Sequence, residues 1–177
     1  MNIYLTGYRC TGKTEAGKYL SKRLNRQFID TDAQIVEKYN MSVKQIVQAE
    51  GWHGFREKEK SVIRHVSTFD NHVVATGGGV ILDPENIRHI KKSGISIWLM
   101  ACPETIIKRL QQDPNTHELR PCLTSNNLSK EVKQTLSQRN QLYEKISDFA
   151  VNTDNIKIEQ AGDLIINFLN YRTGLPV

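Results

Sequence analysis

The segment Gly7–Thr14 reads GYRCTGKT and directly follows a short apolar run, Ile3–Leu5. It satisfies the pattern GxxxxGK followed by Ser or Thr, in which a glycine-rich loop after a strand opens a helix. The backbone N–H groups of such a loop surround phosphate oxygens, and the helix N-terminus adds favourable partial positive charge. The segment therefore predicts an α/β chain that binds a nucleotide at the end of its first strand.

Two side chains of this phosphate loop carry its expected chemistry. Lys13 is expected to reach the β- and γ-phosphates, and the Thr14 hydroxyl is expected to ligate Mg²⁺. The residues predicted to bind the nucleotide are Gly7, Tyr8, Arg9, Cys10, Thr11, Gly12, Lys13 and Thr14.

Short apolar runs alternate with longer segments of helical period, which is typical of βαβ units around a parallel sheet. Strands are predicted over Ile3–Leu5, Phe28–Ile29, Val73–Ala75, Ile95–Leu99 and Phe149–Val151. Helices are predicted over Lys13–Leu24, Val43–Ala49, Phe55–Phe69, Pro84–Lys92, Pro103–Gln111, Ser129–Ile146 and Ile158–Tyr171. The pattern leaves the order of the strands open.

One stretch, Asp113–Asn127, has no periodicity and contains two prolines. It predicts a surface loop of the length of an active-site lid. The guanine-reading tetrapeptide NKxD of GTPases is absent from the chain. A small phosphate-loop chain with a lid and no guanine motif favours a kinase of a small acceptor.

Composition limits the remaining classes. The 177 residues suffice for one domain over 1–177, and 38% apolar with 24% charged residues is a balance that can build a core. No run approaches the roughly 18 to 20 apolar residues of a membrane span, and the N-terminus lacks the pattern of a secretion signal. Cys10, Cys102 and Cys122 lack CxxC spacing. Such cysteines favour a cytoplasmic protein with reduced thiols and no zinc site.

Two carboxylates follow the second predicted strand, in Phe28–Asp32. In an extended segment, Asp30 and Asp32 would point the same way. Asp30 is expected to hold a Mg²⁺-bound water, and Asp32 to accept a hydrogen bond from an acceptor hydroxyl and draw off its proton. The alternative is that Asp32 only caps the next helix.

Two further features point to an acceptor site. Arg56 and Glu59 share a helix face, where a buried Glu would hold the guanidinium steady for an anion; the alternative is a solvated surface ion pair. The three glycines Gly77–Gly79 follow the third predicted strand. Their exposed backbone N–H groups at the carboxyl end of a parallel strand suit a substrate, and the alternative is a flexible turn.

Taken in order, the motifs GYRCTGKT, FIDTD, FREKE, TGGGV, Arg120-Pro121, and Arg139 with Tyr143 resemble the shikimate kinase family. The resemblance implies a three-layer αβα P-loop kinase fold with a five-stranded parallel sheet and a mobile lid loop. It implies a lid over about 113–127 and a substrate-binding helical segment over about 31–62. It also implies transfer of the ATP γ-phosphoryl group to the 3-hydroxyl of shikimate, a step towards chorismate and aromatic amino acids.

The resemblance also implies roles for single residues. Arg56 and Arg139 match two arginines that clamp the shikimate carboxylate, and Asp32 matches an aspartate that holds ring hydroxyls. The remaining matches are Gly77, Gly78 and Gly79 as substrate-binding backbone, Asp30 with Thr14 at magnesium, Arg109 stacked on adenine, and Arg120 closing on the ATP phosphates. The expected catalytic set is Lys13, Asp32 and Arg120.

The chain departs from the family pattern at three places. Cys10 stands where many relatives have a glycine, Trp52 and His53 interrupt the usual Gly-Glu before the Phe55-Arg56 motif, and no arginine occurs over Asn152–Asn155. Three rival readings remain: a kinase of the same fold for another acid such as gluconate, a catalytically silent nucleotide sensor, and a nucleic-acid-binding module suggested by the net charge of +5. We expect a monomer that binds shikimate, ATP and Mg²⁺, without a nucleic-acid or membrane partner.

Overall fold

Five parallel strands form one sheet in a computed structural model that describes residues 1–113 and 128–174. The strands are β1 (Asn2–Thr6), β2 (Gln27–Asp30), β3 (His72–Ala75), β4 (Gly94–Met100) and β5 (Phe149–Asn152). Their order across the sheet is β2-β3-β1-β4-β5. Each predicted strand lies within an observed one, so the prediction of a five-stranded parallel sheet is confirmed.

Helices connect and cover these strands in the described part of the chain. They are α1 (Lys13–Arg23), α2 (Thr31–Tyr39), α3 (Val43–Val66), α4 (Pro84–Ser93), α5 (Pro103–Gln112), α6 (Leu128–Ile146) and α7 (Ile158–Thr173), with a 3₁₀ turn at Val80–Leu82. Pro84 and Pro103 each occupy the first turn of their helix, where a missing N–H leaves no hydrogen bond unmade.

The three central strands β1, β3 and β4 are buried on both faces, which gives three layers. Tyr4 of β1 faces a core that includes Ile35 of α2, Ile63 of α3 and Tyr143 of α6. Its neighbours Ile3 and Leu5 face the opposite core, which is formed with α1 and α7. Because strand side chains alternate between faces, apolar runs without alternation are the expected sequence of such strands.

Two helical predictions need correction. The pattern missed α2, because its first turn is polar and it has only nine residues. The two helices predicted at Val43–Ala49 and Phe55–Phe69 correspond to the two halves of α3, which a break at Gly51, with φ of 67° and ψ of −179°, separates as predicted. The second half ends at Val66 instead of Phe69.

None of the helices within residues 1–113 and 128–174 is long and apolar enough to cross a membrane. The predicted lid lies outside the described residues except for Asp113. The predicted site residue Arg120 also lies outside them.

Candidate active site

The phosphate loop and two other segments meet at the carboxyl edge of the sheet. The loop Gly7–Thr14 follows β1, Asp30 and Asp32 follow β2, and Gly77–Gly79 follow β3. Because β2, β3 and β1 are adjacent and parallel, the three segments emerge side by side. Ligands of open α/β sheets bind at this edge.

The backbone of the phosphate loop has the conformation that its glycines permit. Gly7 has a φ of 137°, and a Cβ there would lie 2.2 Å from the carbonyl oxygen of Leu99. Gly12 has a φ of 91° and caps α1 without a side-chain hydrogen bond. The first N–H groups of α1 therefore point towards any anion seated in the loop.

Side chains within the loop stabilise its curvature. The Nζ of Lys13 donates a hydrogen bond of 2.7 Å to the carbonyl oxygen of Tyr8, and the Thr11 hydroxyl donates one of 2.8 Å to the same oxygen. Lys13 is buried, and its hydrogen bond to Tyr8 holds the ammonium group over the loop. The predicted phosphate-binding residues are thus gathered in one cradle.

The departure at Cys10 has a visible consequence. Cys10 adopts a φ of 59°, in the left-handed region that favours glycine. Cys10 therefore has the backbone conformation that a glycine would adopt, and its Cβ causes backbone strain.

Asp30 differs from its predicted geometry. It is the last residue of β2 and the N-cap of α2, and its Oδ1 accepts hydrogen bonds from the N–H groups of Asp32 (3.0 Å) and Ala33 (3.3 Å). Asp32 lies inside the helix, so the expectation that both carboxylates project from one extended segment was wrong. The alternative of Asp32 as the cap was also wrong, because Asp30 has that position.

The other oxygen of Asp30 faces the phosphate loop. The Thr14 hydroxyl donates a hydrogen bond of 2.9 Å to Asp30 Oδ2. This pair offers two hard oxygen donors beside the phosphate cradle. Mg²⁺ in nucleotide sites commonly takes only one or two protein oxygens and completes its shell with water and phosphate. The two residues therefore fit a magnesium ion that arrives with a nucleotide.

A cavity that is open to solvent adjoins the phosphate loop. Its wall combines cationic, acidic and aromatic side chains with bare backbone, which is a surface for a small polar ligand. The lining residues are Tyr8, Arg9, Asp32, Val43, Trp52, Phe55, Arg56, Glu59, Gly77, Gly78, Gly79 and Arg139. All six predicted substrate-binding residues are among them, so we refer to this cavity as the acceptor pocket.

Arg56 is held in the acceptor pocket by both charge and aromatic contacts. Its Nη1 donates a hydrogen bond of 2.7 Å to Glu59 Oε2. Its guanidinium carbon lies 5.6 Å from the ring centre of Trp52 and 5.1 Å from that of Phe55. A Cβ on Gly79 would lie 2.2 Å from Arg56 Nη2, so glycine leaves the space that this side chain occupies.

Glu59 is a fully buried carboxyl group, with 0% of its surface exposed. Burial raises the pKa of Glu59 to about 7, although Arg56 acts in the opposite direction. Its Oε1 has no hydrogen-bond partner among the described residues. The alternative of a solvated surface pair with Arg56 is therefore wrong.

Asp32 lies close to this carboxyl group. A Cβ on Gly77 would be 2.7 Å from both Asp32 Oδ1 and Glu59 Oε1, so both oxygens border the same small space. The Gly77 N–H donates a hydrogen bond of 3.1 Å to the hydroxyl of Thr31. Glycine at this position keeps the pocket open next to two carboxyl groups.

The helix α6 supplies the second arginine of the acceptor pocket. Arg139 Nη1 donates a hydrogen bond of 3.1 Å to the carbonyl oxygen of Gly78. The buried hydroxyl of Tyr143 donates to the same oxygen, and burial raises the pKa of Tyr143. The two contacts fix the Gly77–Gly79 loop against α6, with Arg56 and Arg139 both on the pocket wall.

Arg109 contacts the outer side of the phosphate loop. Its Nη1 donates hydrogen bonds of 3.1 Å to the carbonyl oxygen of Cys10 and to the Thr153 hydroxyl. Thr153, which is buried just after β5, also has its hydroxyl 3.3 Å from the carbonyl oxygen of Thr11. These bonds place Arg109 beside the nucleotide cradle, and its predicted stacking on adenine stays a prediction.

Sequence reasoning missed three residues of this site. Trp52 had been noted only as a departure, yet it lines the acceptor pocket next to Arg56. Thr153 and Glu131 carry no motif, and each reaches the phosphate loop from a distant part of the chain. The signal that could have indicated Glu131 is its place as the acidic residue in the first turn of α6.

Comparison with known proteins decides between the rival families. A family model described as "Shikimate kinase" matches residues 9–170. The chain belongs to the shikimate kinase family. A curated shikimate kinase of Caldicellulosiruptor saccharolyticus is 40% identical over 166 residues, which cover 94% of each chain.

Solved structures agree with this assignment. A shikimate kinase from Acinetobacter baumannii, solved in complex with shikimate, superposes with a TM-score of 0.90 at 30% identity and covers 97% of this chain and 93% of its own. A shikimate kinase from Aquifex aeolicus gives a TM-score of 0.83 at 28% identity, with 98% of both chains covered. The predicted P-loop kinase fold of the shikimate kinase family is thereby confirmed.

Proposed function

We propose that this member of the shikimate kinase family transfers the γ-phosphoryl group of ATP to the 3-hydroxyl of shikimate, giving shikimate 3-phosphate and ADP. The observation that carries the proposal is the placement of Arg56 and Arg139 on one pocket wall that adjoins the phosphate loop. Two arginines suit an acceptor with a carboxylate, because a guanidinium binds a carboxylate through two parallel hydrogen bonds. The relative from Acinetobacter baumannii was solved with shikimate, which has such a carboxylate.

The acceptor pocket also supplies a group for the ring hydroxyls. Asp32 lines it at the side nearest to Gly77. A carboxylate there accepts hydrogen bonds from hydroxyl groups and can take the proton of the attacking oxygen. Arg56 and Arg139 would bind the far end of the same molecule, so the acceptor has one orientation.

The phosphate loop supplies the other half of the reaction. The N–H groups at the start of α1 and the ammonium of Lys13 would surround the β- and γ-phosphates and compensate the charge that develops during transfer. Thr14 and Asp30 would hold a magnesium ion, which supplies further positive charge next to the phosphates. Transfer then depends on the alignment of the acceptor hydroxyl with the γ-phosphorus.

Several expectations extend the proposal. We propose that Arg120 completes the charge around the phosphates, that residues 113–127 form the lid, and that the chain acts as one domain and as a monomer in the cytoplasm. Arg120→Ala should lower kcat on the order of 10³-fold if the arginine meets the transferred group. Size-exclusion chromatography with light scattering tests the monomer.

The first experiment follows ADP release with Mg²⁺ and ATP in parallel reactions that contain shikimate, quinate, gluconate or no acceptor. Shikimate-dependent release, with a phosphate monoester in the ³¹P spectrum of the product, is the expected result. ADP release that depends on gluconate instead would indicate the rival function, a kinase of the same fold that phosphorylates gluconate. ATP binding without stimulation by any acid would favour a nucleotide sensor.

Shikimate methyl ester is the matched control for the carboxylate grip. It keeps the three ring hydroxyls and removes the charge that Arg56 and Arg139 are proposed to bind. A rise in KM on the order of 100-fold relative to shikimate is expected for the loss of a charge-assisted pair. Equal KM values for the acid and its ester would contradict the assignment of both arginines.

A further inference from the structure

A buried ion pair joins the phosphate loop to α6. Arg9, in the middle of the loop, donates from Nη2 to Glu131 Oε1, in the first turn of the helix. The side chains of the two residues are only 11% and 1% exposed. Buried ion pairs are weak contributors to stability, because desolvation of the two charges offsets their attraction. A role in positioning α6 relative to the phosphate loop therefore explains this pair better than a contribution to stability does.

The pair is one of several contacts among the phosphate loop, α6 and the loop after β3. Glu131 lies about 12 Å along α6 from Arg139, since a helix rises about 1.5 Å per residue. Arg139 contacts the carbonyl oxygen of Gly78. A Cβ on Gly78 would in turn lie 3.5 Å from the backbone nitrogen of Arg9. The phosphate loop, α6 and the loop after β3 are thus each joined to the other two.

The side chain of Arg9 is also part of the acceptor pocket wall. A guanidinium has five N–H donors in a fixed plane, and Glu131 determines which way that plane faces. The sequence placed Arg9 among the nucleotide-binding residues because of its position in the motif. Its side chain instead lies on the boundary between the two substrate sites.

We propose that Arg9 and Glu131 are positioning residues that fix α6, and with it Arg139, relative to the phosphate loop, so that the acceptor hydroxyl lies in line with the transferred phosphoryl group. This inference rests on the proposed function. Loss of the pair is expected to affect alignment more than affinity, because Arg56 and Arg139 remain available to the acceptor and the loop backbone remains available to ATP. A misplacement of about 1 Å can lower a rate on the order of 100-fold.

The test compares Glu131→Gln, Arg9→Met and the double variant in the ADP-release assay with shikimate. Each single variant is expected to lower kcat by about 10- to 100-fold. Dissociation constants for shikimate and for a non-hydrolysable ATP analogue, measured by calorimetry, are expected to change by less than about 3-fold. The double variant is expected to be no slower than the slower single variant, because the second change removes a group already without its partner.

Two further variants separate positioning from folding. Glu104→Gln removes a different link between α5 and α6, the exposed contact of 3.8 Å with Lys133, and is expected to leave kcat unchanged. Arg9→Lys keeps the charge without the fork and is expected to recover part of the rate that Arg9→Met loses. All variants are assayed below their unfolding temperature, which circular dichroism gives.

Three results would overturn the positioning role. They are a kcat within 3-fold of the unsubstituted chain for both single variants, losses that multiply in the double variant, and losses confined to substrate affinity. The proposed function has a separate control, because it fails only if the unsubstituted chain itself shows no shikimate-dependent release. The two failures are therefore distinguishable.

Discussion

The phosphate loop and the acceptor pocket are built in opposite ways. The loop is one continuous segment whose backbone, with Gly7 and Gly12 at positive φ, makes the binding surface. The acceptor pocket takes side chains from as far apart as Asp32 and Arg139 and holds them with ion pairs and shared acceptors. A change at Gly7 or Gly12 should therefore act through backbone shape, whereas a change in the acceptor pocket should act through charge.

Lys13→Met should produce the largest effect and should be confined to the donor side. The substitution removes the ammonium group that compensates charge on the transferred phosphoryl, so kcat is expected to fall by about 10²- to 10³-fold. The dissociation constant of shikimate, measured by calorimetry, should change by less than about 3-fold.

The matched control for that substitution is Lys18→Met, on the same helix. Lys18 is exposed and forms a surface ion pair with Glu15. Lys18→Met should leave both kcat and the dissociation constant of shikimate unchanged. A comparable fall in kcat for Lys18→Met would mean that the effect comes from α1 and not from the phosphate cradle.

Glu59→Gln should change how stability depends on pH, which tests the charge balance of the acceptor pocket. The folded pKa of Glu59 is about 7, and its ordinary value is 4.5. Between these values the folded chain holds a proton that the unfolded chain has released, so this group makes the free energy of unfolding fall as pH rises through the window. Above pH 7 both states are ionised and its contribution no longer changes.

The measurement is urea unfolding of both chains from pH 4.5 to 8. The difference between their unfolding free energies is expected to change by about 3 kcal/mol across the window, at about 1.4 kcal/mol per pKa unit. Parallel curves for the two chains would contradict a buried carboxyl with a raised pKa. The same result would weaken the view that charge governs this half of the molecule.

Arg139→Lys should raise the KM for shikimate by about 10- to 100-fold, because an ammonium cannot make the two parallel hydrogen bonds of a guanidinium. The KM for ATP should remain within about 2-fold. Arg172→Lys, which affects an exposed pair with Asp148, is the control and should change neither constant. Equal rises in the KM for shikimate and the KM for ATP would show that Arg139 affects both substrate sites and does not bind shikimate specifically.

Cys10→Gly should produce the smallest effect and should stabilise the chain. Cys10 has a φ of 59°, and removal of its Cβ relieves about 1 kcal/mol of strain, less the entropy that glycine adds to the unfolded chain. Cys102→Gly is the control, since Cys102 has a φ of −69° and caps α5. It should destabilise the chain in the same urea experiment, and a gain for both variants would contradict the strain at Cys10.

The features that sequence predicted well are those encoded in consecutive residues. The phosphate loop is readable because its glycines and Lys13 occupy fixed positions in one segment. The central strands β1, β3 and β4 are readable because burial on both faces requires uninterrupted apolar runs. The family resemblance then brought distant motifs together, and the structure places Asp32, Arg56 and Arg139 around one cavity.

Features that depend on tertiary contact escaped prediction. Whether Asp30 or Asp32 caps α2 depends on where β2 ends, and a shift of two residues would exchange them. Trp52 and Glu131 gain their roles only from neighbours that are remote in the chain, and no local pattern records such neighbours.

The order of the strands separates most of the acceptor pocket from the outer contacts of the phosphate loop. Most pocket residues lie in the segments after β2 and β3, with Arg139 added from α6, whereas Arg109 and Thr153, which contact the phosphate loop, follow β4 and β5 on the other side of β1. A library of variants restricted to positions 32–79 would therefore explore new acceptor acids on an unchanged nucleotide half. For the design of altered kinases, β1 is the natural boundary of the region to randomise.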